Sequence, residues 1–223
     1  MKTVLGEILP LVFVVAVSPI NIVAAILLLF SKRPIANATS YLVGFMVGVA
    51  AMLSGLTALA DAIGLDPDSD RSRGAAALLL ALGLFLLVVA VRKLAHRPGP
   101  DQQPETPKWM NGISDFGSAK SLLTGVSVGA LNPKNIAVAV ASSVVIASAE
   151  LPGGQQFWLV AIYTLVVSLG VAAPIVTAVA LGDRSESVLT TWKDWLDRNN
   201  GTVMAVIYLF FGVILIGKGI AGL

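Results

Sequence analysis

Long apolar runs alternate with short polar segments along most of the chain. Runs long enough to cross a bilayer fall near residues 4–30, 38–63, 74–92, 120–148, 156–181 and 202–222. The hydrocarbon core of a bilayer is about 30 Å thick, and a helix of about 20 apolar residues spans it. The pattern therefore predicts an all-α integral membrane protein with six transmembrane helices. The first run is longer than the apolar region of a signal peptide, and we interpret it as a retained span.

Two polar segments organise the chain between these runs. Residues 96–118 are polar and rich in proline, which predicts an extended cytoplasmic linker between residues 1–95 and residues 119–223. Residues 182–201 place apolar side chains at helical spacing and end in Asn199-Asn200-Gly201, a typical helix stop. This second pattern predicts a short separate helix before the sixth span. It would lie either on the inner membrane surface or, solvated, over the inner face of the protein.

The two halves of the chain resemble each other in sequence. The matches are Pro19 with Pro133 at a separation of 114 residues, Tyr41 with Tyr163 at 122, and Leu84 with Leu209 at 125. Each half holds three predicted spans, an odd number, so the second half must enter the membrane in the opposite orientation. The sequence thus predicts two inverted-topology three-helix repeats, residues 1–95 and 119–223, an arrangement found in many secondary transporters.

The distribution of lysine and arginine predicts the orientation. The termini and the even-numbered loops hold four basic residues: Lys2, Arg71, Arg73 and Lys218. The odd-numbered loops hold ten: Lys32, Arg33, Arg92, Lys93, Arg97, Lys108, Lys120, Arg184, Lys193 and Arg198. Because basic loops stay in the cytoplasm, this distribution predicts a multi-pass plasma membrane protein with both termini extracytoplasmic.

Composition narrows the possible functions. The chain is 56% hydrophobic and 13% charged, against about 25% charged in soluble domains. It has no cysteine and one histidine, His96 in a polar loop, so the sequence predicts neither an enzyme nor a metal site nor a cofactor. A net charge of +2, spread between the apolar runs, gives no indication of a nucleic-acid partner.

Proline interrupts the first and fourth spans at matching points. Ser18-Pro19 and Asn132-Pro133 each place a good N-cap residue before a proline, which is how a helix begins. Spans one and four are therefore predicted to break near mid-membrane, at "SPIN" and "NPKN". A break at that depth is tolerated where it is buried in protein or lines a wet cavity. It exposes carbonyls on one side and N–H groups on the other.

The residues at the two breaks form the candidate substrate site: Ser18, Pro19, Asn21, Asn132, Pro133, Lys134 and Asn135. Lys134 stands where the first copy has Ile20 and is the ionisable residue nearest the middle of a span. A fixed ammonium without a neighbouring carboxylate repels cations and attracts a carboxylate, sulfate or phosphate. The two asparagines supply amide donors and acceptors beside it. The alternative is that Lys134 binds the freed carbonyls and only locks the kink.

Several segments together resemble a known family. They are "SPINI", the passage "PKWMNGISDFGSAKSLLTGVSVGALNPKNIAVAV" and the ending "TWKDWLDRNNGTVMAVIYLFFGVILIGKGI". These resemble the GAP family of actinobacterial glycopeptidolipid- or sulfolipid-addressing (Sap-like) proteins, within the LysE exporter superfamily. The resemblance implies a six-span inverted repeat and a role in exporting or placing a lipid-linked molecule at the cell envelope.

Three functions are compatible with these features. The first is an exporter that moves an anionic envelope lipid or glycolipid through the site at the two breaks. The second is a proton-coupled exporter of amino acids or other small solutes, in which Lys134 would exchange its proton. The third is a scaffold within a lipid-export complex that transports nothing itself. The expected partners are membrane lipids and the substrate, with a homodimer or the envelope-lipid export machinery as possible protein partners.

Overall fold

The structure, a computed structural model, describes residues 1–63, 70–95, 110, 112–149 and 151–221. Within these ranges the regular structure is helical. The α-helices are α1 (Lys2–Ala16), α2 (Pro19–Leu29), α3 (Pro34–Ile63), α4 (Asp70–Ala95), α5 (Ser118–Leu131), α6 (Pro133–Ala147), α7 (Gly153–Leu181) and α8 (Ser185–Ala221). Short 3₁₀ turns occupy Ile113–Asp115 and Gly182–Arg184. The all-α prediction is confirmed.

Several of these helices are long and apolar enough to cross a membrane. In the described ranges they are Pro34–Ala62, Ala76–Ala95 and the stretch Gly153–Ala221, which contains α7 and α8. A fourth arises if α5 and α6, bent by 55° at their junction, form one broken span. These helices indicate a multi-pass membrane protein. The first predicted span consists of α1 and the short apolar helix α2, so the number of six crossings stays a prediction.

Glycines bring α3 and α5 into close parallel contact. Positions 44 and 48 of α3 lie against the backbone of Leu122 and Val126, while Gly125 and Gly129 of α5 lie against the backbone of α3. At all four positions a Cβ atom would collide with main-chain atoms, which cannot move aside as a flexible side chain can. The half-helix before the second break is therefore packed tightly on α3.

Two further helix pairs, each with one helix from either half of the chain, make close contacts with fewer glycines. Gly170 of α7 lies against the carbonyl oxygen of Ala16, at the end of α1. The half-helix before the first break thus packs on α7, as the half-helix before the second break packs on α3. Gly83 of α4 and Gly212 of α8 meet each other, again without room for a Cβ atom, and pair these two helices.

A buried asparagine ties three segments together where α3 and α5 begin. The Asn37 side-chain amide donates to Ser31 Oγ at 2.9 Å and to the carbonyl oxygen of Phe116 at 2.8 Å, and its Oδ1 accepts from Ser118 Oγ at 3.0 Å. All of its strong hydrogen-bonding groups thus have partners. We refer to these contacts as the Asn37 clasp. The clasp fixes the start of α5 relative to the loop between α2 and α3.

One feature of the predicted organisation differs in the structure, and another lies mostly outside the described residues. The predicted short helix before the sixth span is wrong, because α8 runs unbroken from Ser185 to Ala221 through the Asn199-Asn200-Gly201 stop. The predicted linker at residues 96–118 falls mostly outside the described residues. Of its described part, Ile113 is buried and belongs to a 3₁₀ turn, and α5 begins at Ser118.

An ion pair that the sequence did not reveal links α1 and α8. Glu7 lies inside the first predicted span, and its carboxylate accepts from Lys218 Nζ of α8 at 2.9 Å. Both side chains keep contact with solvent, so the pair contributes roughly 0–1 kcal/mol. It joins the two ends of the described chain at one end of the bundle.

Replacing Gly201 by alanine tests the continuity of α8. A Cβ atom at Gly201 meets nothing within 4 Å, and alanine favours a helix interior over glycine by roughly 0.5–1 kcal/mol. The thermal unfolding temperature in detergent should therefore rise. The matched control is Gly182→Ala, where φ is 53° and the unfolding temperature should fall. If Gly201→Ala lowered it as well, the helix would end at Gly201 as the sequence suggested.

Candidate functional site

The first helix break lies between α1 and α2. Helix α1 ends at Ala16, Ser18 is extended with φ −87° and ψ 109°, and α2 begins at Pro19. The predicted break and the predicted N-terminal proline are confirmed. The predicted side-chain cap is not, because the Ser18 hydroxyl makes no capping hydrogen bond. Asn21, one turn further, is buried, and neither of its side-chain polar atoms has a hydrogen-bond partner among the described residues.

The second break has the same form with a complete cap. Helix α5 ends at Leu131, Asn132 is extended with φ −69° and ψ 121°, and α6 begins at Pro133. Here the Asn132 Oδ1 atom accepts from the backbone N–H of Lys134 at 3.1 Å. This bond satisfies one of the free donors at the start of α6, as expected of an N-cap asparagine.

The Asn135 side chain of α6 forms hydrogen bonds across the second break to α5. Its Nδ2 atom donates to the carbonyl oxygens of Val128 at 3.1 Å and Gly129 at 3.2 Å, both in α5. The Gly129 carbonyl is the one that Pro133, lacking an N–H, leaves without a helical donor. The Asn135 amide therefore replaces the missing backbone bond. Its Oδ1 atom is buried and has no partner in the described part of the chain.

Lys134 is the buried charge of the site. Its side chain is 3% exposed, and among the charged side chains whose burial the structure describes no other is buried. The ammonium nitrogen makes no hydrogen bond to any described residue. The Lys134 ammonium therefore does not bind the freed carbonyls, and at Gly129 the carbonyl accepts from Asn135 instead. An ammonium at the centre of a membrane helix costs roughly 2.5–3.5 kcal/mol, so it needs a compensating partner.

A shallow groove of about 480 Å³ runs along α5 to the second break. We call it the break groove. Lys120 lies in its wall near the start of α5, and Asn132 and Pro133 lie in its wall at the break. Ile20, the residue after Pro19, contributes from α2, so one groove receives residues from both breaks. Asn21, Lys134 and Asn135 are buried rather than exposed to it.

Some buried polar groups near the site were not identified from the sequence. Tyr41 and Tyr163, which match between the two halves of the sequence, are both fully buried. The Tyr41 hydroxyl, on the helix that packs against α5, has no partner among the described residues. Asn37 was also missed. The sequence shows an asparagine at the start of an apolar run, which is an unusual position for an amide. The spacing of residues does not reveal its three hydrogen-bond partners.

Asn135→Leu should destabilise the protein, whereas Asn21→Leu should not. Leucine at position 135 leaves two carbonyls without their donor, at a cost of about 1–3 kcal/mol. Asn21 makes no hydrogen bond to described residues, so a leucine of similar size there removes unpaired polar atoms. Thermal unfolding in detergent should show a lower midpoint for the first variant only. Equal midpoints would show that the amide does not hold the second break together.

Comparison with known proteins adds one finding. The family model described as "Sap, sulfolipid-1-addressing protein" matches residues 8–221, a range that contains both helix breaks. This match confirms the sulfolipid-addressing part of the resemblance seen in the sequence. No curated protein and no solved structure matches the chain.

Proposed function

Because the chain belongs to the Sap, sulfolipid-1-addressing protein family, we propose that it exports an anionic envelope lipid or glycolipid across the plasma membrane. The substrate's anionic group is held at the two helix breaks. In this proposal the protein is a transporter and not an enzyme. Other subunits of an envelope-lipid export machinery, or a second copy, would act as partners.

The observation that carries the proposal is the buried, unpaired ammonium of Lys134. It belongs to the second residue of α6, where the free N–H groups and the positive end of the helix dipole also favour an anion. A sulfate, phosphate or carboxylate would compensate the ammonium where no described side chain does. The unpaired amide groups of Asn21 and the Oδ1 atom of Asn135 add hydrogen-bonding capacity for polar parts of the same headgroup.

The proposal includes a six-span inverted repeat like that of the LysE exporter superfamily, which the sequence resembles. Equivalent contacts of the two halves support it. Gly48 of α3 lies against Ala130 of α5, and Gly170 of α7 lies against Ala16 of α1. A shift of 122 residues relates the two glycines and a shift of 114 relates the two alanines, the shifts seen in the sequence. A pseudo-twofold axis in the membrane plane would relate the two contacts, because it exchanges the two halves of the chain.

The buried stripes of α3 and α7 support the same repeat. In α3 the stripe is Tyr41, Phe45, Val49 and Leu53, and in α7 it is Tyr163, Val167, Val171 and Ile175. Every pair is 122 residues apart. Both α7 and α8 are longer than the roughly 20 residues that cross a bilayer. The positive φ of Gly182 at their junction is compatible with a reversal of direction. In this proposal the excess of basic residues in the odd-numbered loops places both termini on the extracytoplasmic side.

Reconstitution of the purified chain into liposomes tests the proposal. The substrates are a fluorescent sulfated galactosylceramide and the same lipid without the sulfate, which differ only in the anionic group. The protein should accelerate movement of the sulfated lipid between leaflets, and the unsulfated lipid should move more slowly. A scaffold would accelerate neither lipid, and an exporter of small solutes would also move neither. Equal rates for both lipids would contradict a site selective for anions.

A further inference from the structure

The break groove follows one face of α5. Lys120, Thr124 and Ser127 lie in its wall at positions i, i+4 and i+7, a spacing that places them on the same side of a helix. Beside them, Leu123 and Leu131 are 64% and 70% exposed. In a membrane-spanning helix, leucines exposed to this extent face hydrocarbon. The groove therefore carries polar groups along a surface that opens sideways into the bilayer.

Two polar side chains of the groove keep hydrogen-bond donors for a ligand. The Thr124 hydroxyl is used within the helix, because it donates to the Lys120 carbonyl at 2.8 Å. The Ser127 hydroxyl makes no hydrogen bond within the described part of the chain. Asn132 accepts the backbone N–H of Lys134 through its Oδ1 atom, so its Nδ2 atom remains a donor. Both unused donors can bind the oxygen atoms of an anion.

Lys120 supplies a positive charge at the outer end of the groove. Its ammonium nitrogen lies 3.8 Å from the centroid of the Phe116 ring, and such a ring attracts a cation without neutralising it. In the proposed orientation the start of α5 is cytoplasmic. At 1.5 Å per residue, Asn132 lies about 18 Å further along, more than half of the roughly 30 Å hydrocarbon core. The groove thus leads from the cytoplasmic surface into the membrane interior.

The charges along the groove favour an anion from one end to the other. Its wall, as far as the structure describes it, contains no carboxylate. Lys120 is exposed, so its attraction is weak and is screened by salt. The groove ends at Asn132 and Pro133, the two residues before Lys134, whose buried ammonium attracts an anion more strongly. A negatively charged group that enters beside Lys120 therefore meets a stronger attraction as it moves inward.

We propose that the break groove is the route by which the anionic headgroup of a lipid passes from the cytoplasmic leaflet to Lys134. The acyl chains stay in the bilayer beside Leu123 and Leu131, because the groove is open on that side. Lys120 is the specificity-determining residue of the entrance and draws negatively charged headgroups into the groove. This route rests on the proposed function, to which it adds the path of the substrate and a residue that selects it.

Cysteine modification tests the route without requiring transport. The chain has no cysteine, so Ser127→Cys introduces a single thiol in the groove. An anionic, membrane-impermeant thiol reagent should modify it in inverted membrane vesicles, whose outer surface is the cytoplasmic face, and only slowly in right-side-out vesicles. Val213→Cys on α8 is the matched control. Its side chain is 60% exposed, but it faces hydrocarbon, which excludes the reagent, so it should stay unmodified in both.

Protection of the Ser127→Cys thiol in liposomes identifies the occupant. Sulfated galactosylceramide in the bilayer should slow the modification, and the unsulfated lipid should not. Galactose 3-sulfate in solution carries the same anionic group without acyl chains and should protect little. Equal protection by the soluble sugar sulfate would show that the groove takes free anions, and would overturn the assignment of a lipid.

Lys120→Gln tests the selecting residue. The rate at which sulfated lipid moves in liposomes should fall roughly twofold to fivefold, as expected for one exposed ion pair, and the unsulfated lipid should be unaffected. The loss should be largest at about 0.01 M salt and should vanish at about 1 M, where the Debye length falls from roughly 30 Å to roughly 3 Å. The effect of Lys134→Gln should persist in salt, because that charge is buried. The control Lys193→Gln should behave as the wild type at both salt concentrations.

Two results would overturn the proposed route: a Ser127→Cys thiol as unreactive as that of Val213→Cys, or a Lys120→Gln variant that moves sulfated lipid as fast as the wild type at low salt. Either result in a protein that still transports the sulfated lipid selectively would refute the route alone. A reactive thiol that the sulfated lipid protects, in a protein that moves no lipid, would support the entrance and contradict the proposed function.

Discussion

Lys134→Gln is expected to abolish most of the selective movement of sulfated lipid in liposomes. Hydrogen bonds to charged groups contribute roughly 1.5–3 kcal/mol, which corresponds to a loss of about tenfold to a hundredfold in rate if they are made in the transport step. Glutamine keeps a hydrogen-bond donor on a side chain one atom shorter but removes the charge. Movement of the unsulfated lipid should change little. The measurement is the rate of each fluorescent lipid at equal protein content.

The matched control is Lys193→Gln, which changes the same residue type on the exposed part of α8, where Lys193 pairs with Asp197. It should leave transport unchanged. Thermal unfolding gives an independent readout, since Lys134→Met removes a buried unpaired charge that costs roughly 2.5–3.5 kcal/mol. The methionine variant should therefore be more stable and yet inactive. A less stable Lys134→Met protein would instead indicate that the lysine holds the fold together.

Gly48→Leu is expected to prevent assembly of the bundle. Its Cβ atom alone would collide with backbone atoms of Val126 and Ala130, and overpacking a tight contact typically costs 1–3 kcal/mol or more. Here backbone rather than a side chain would have to move, so the helices α3 and α5 would separate. The yield of monodisperse protein in detergent should fall severely, and any purified remainder should unfold at a much lower temperature.

Gly55→Leu gives the comparison on the same helix. A Cβ atom there meets nothing within 4 Å, so leucine should be tolerated, with an unfolding temperature at or above that of the wild type. Comparable losses at both positions would mean that α3 tolerates leucine nowhere in this region. The close approach to α5 would then not be the reason for the glycine at position 48.

The helix breaks could be predicted because their cause is local. Proline lacks an N–H wherever it stands, and Ser18 or Asn132 before it adds a start signal, so the positions of both breaks followed from four residues. The hydrogen bonds of the Asn135 side chain could not be predicted from the local sequence. Its partners, the carbonyls of Val128 and Gly129, lie on the other side of the 55° bend between α5 and α6, and residue spacing does not give the angle of that bend.

Other features depended on tertiary packing. The glycine pairs at 44 and 48 and at 125 and 129 predict close helix contacts, but spacing alone does not say that these two pairs face each other. The stop signal at Gly201 failed because a glycine costs a helix only about 1 kcal/mol. Packing contacts further along α8, such as Gly212 against Gly83, are compatible with a favourable packing energy that offsets this cost. Likewise, no pattern distinguishes the unbonded hydroxyl of Ser127 from the bonded one of Thr124.

The two breaks differ in a way that bears on how the protein could move. The second is fastened by three side-chain hydrogen bonds, one from the N–H of Lys134 to Asn132 and two from Asn135 to α5. At the first, Ser18 makes no capping bond and Asn21 has no partner in the described chain. The protein thus has one stiff hinge and one compliant hinge. In the proposed transport, bending would concentrate between α1 and α2, while the hinge that holds Lys134 would keep its shape.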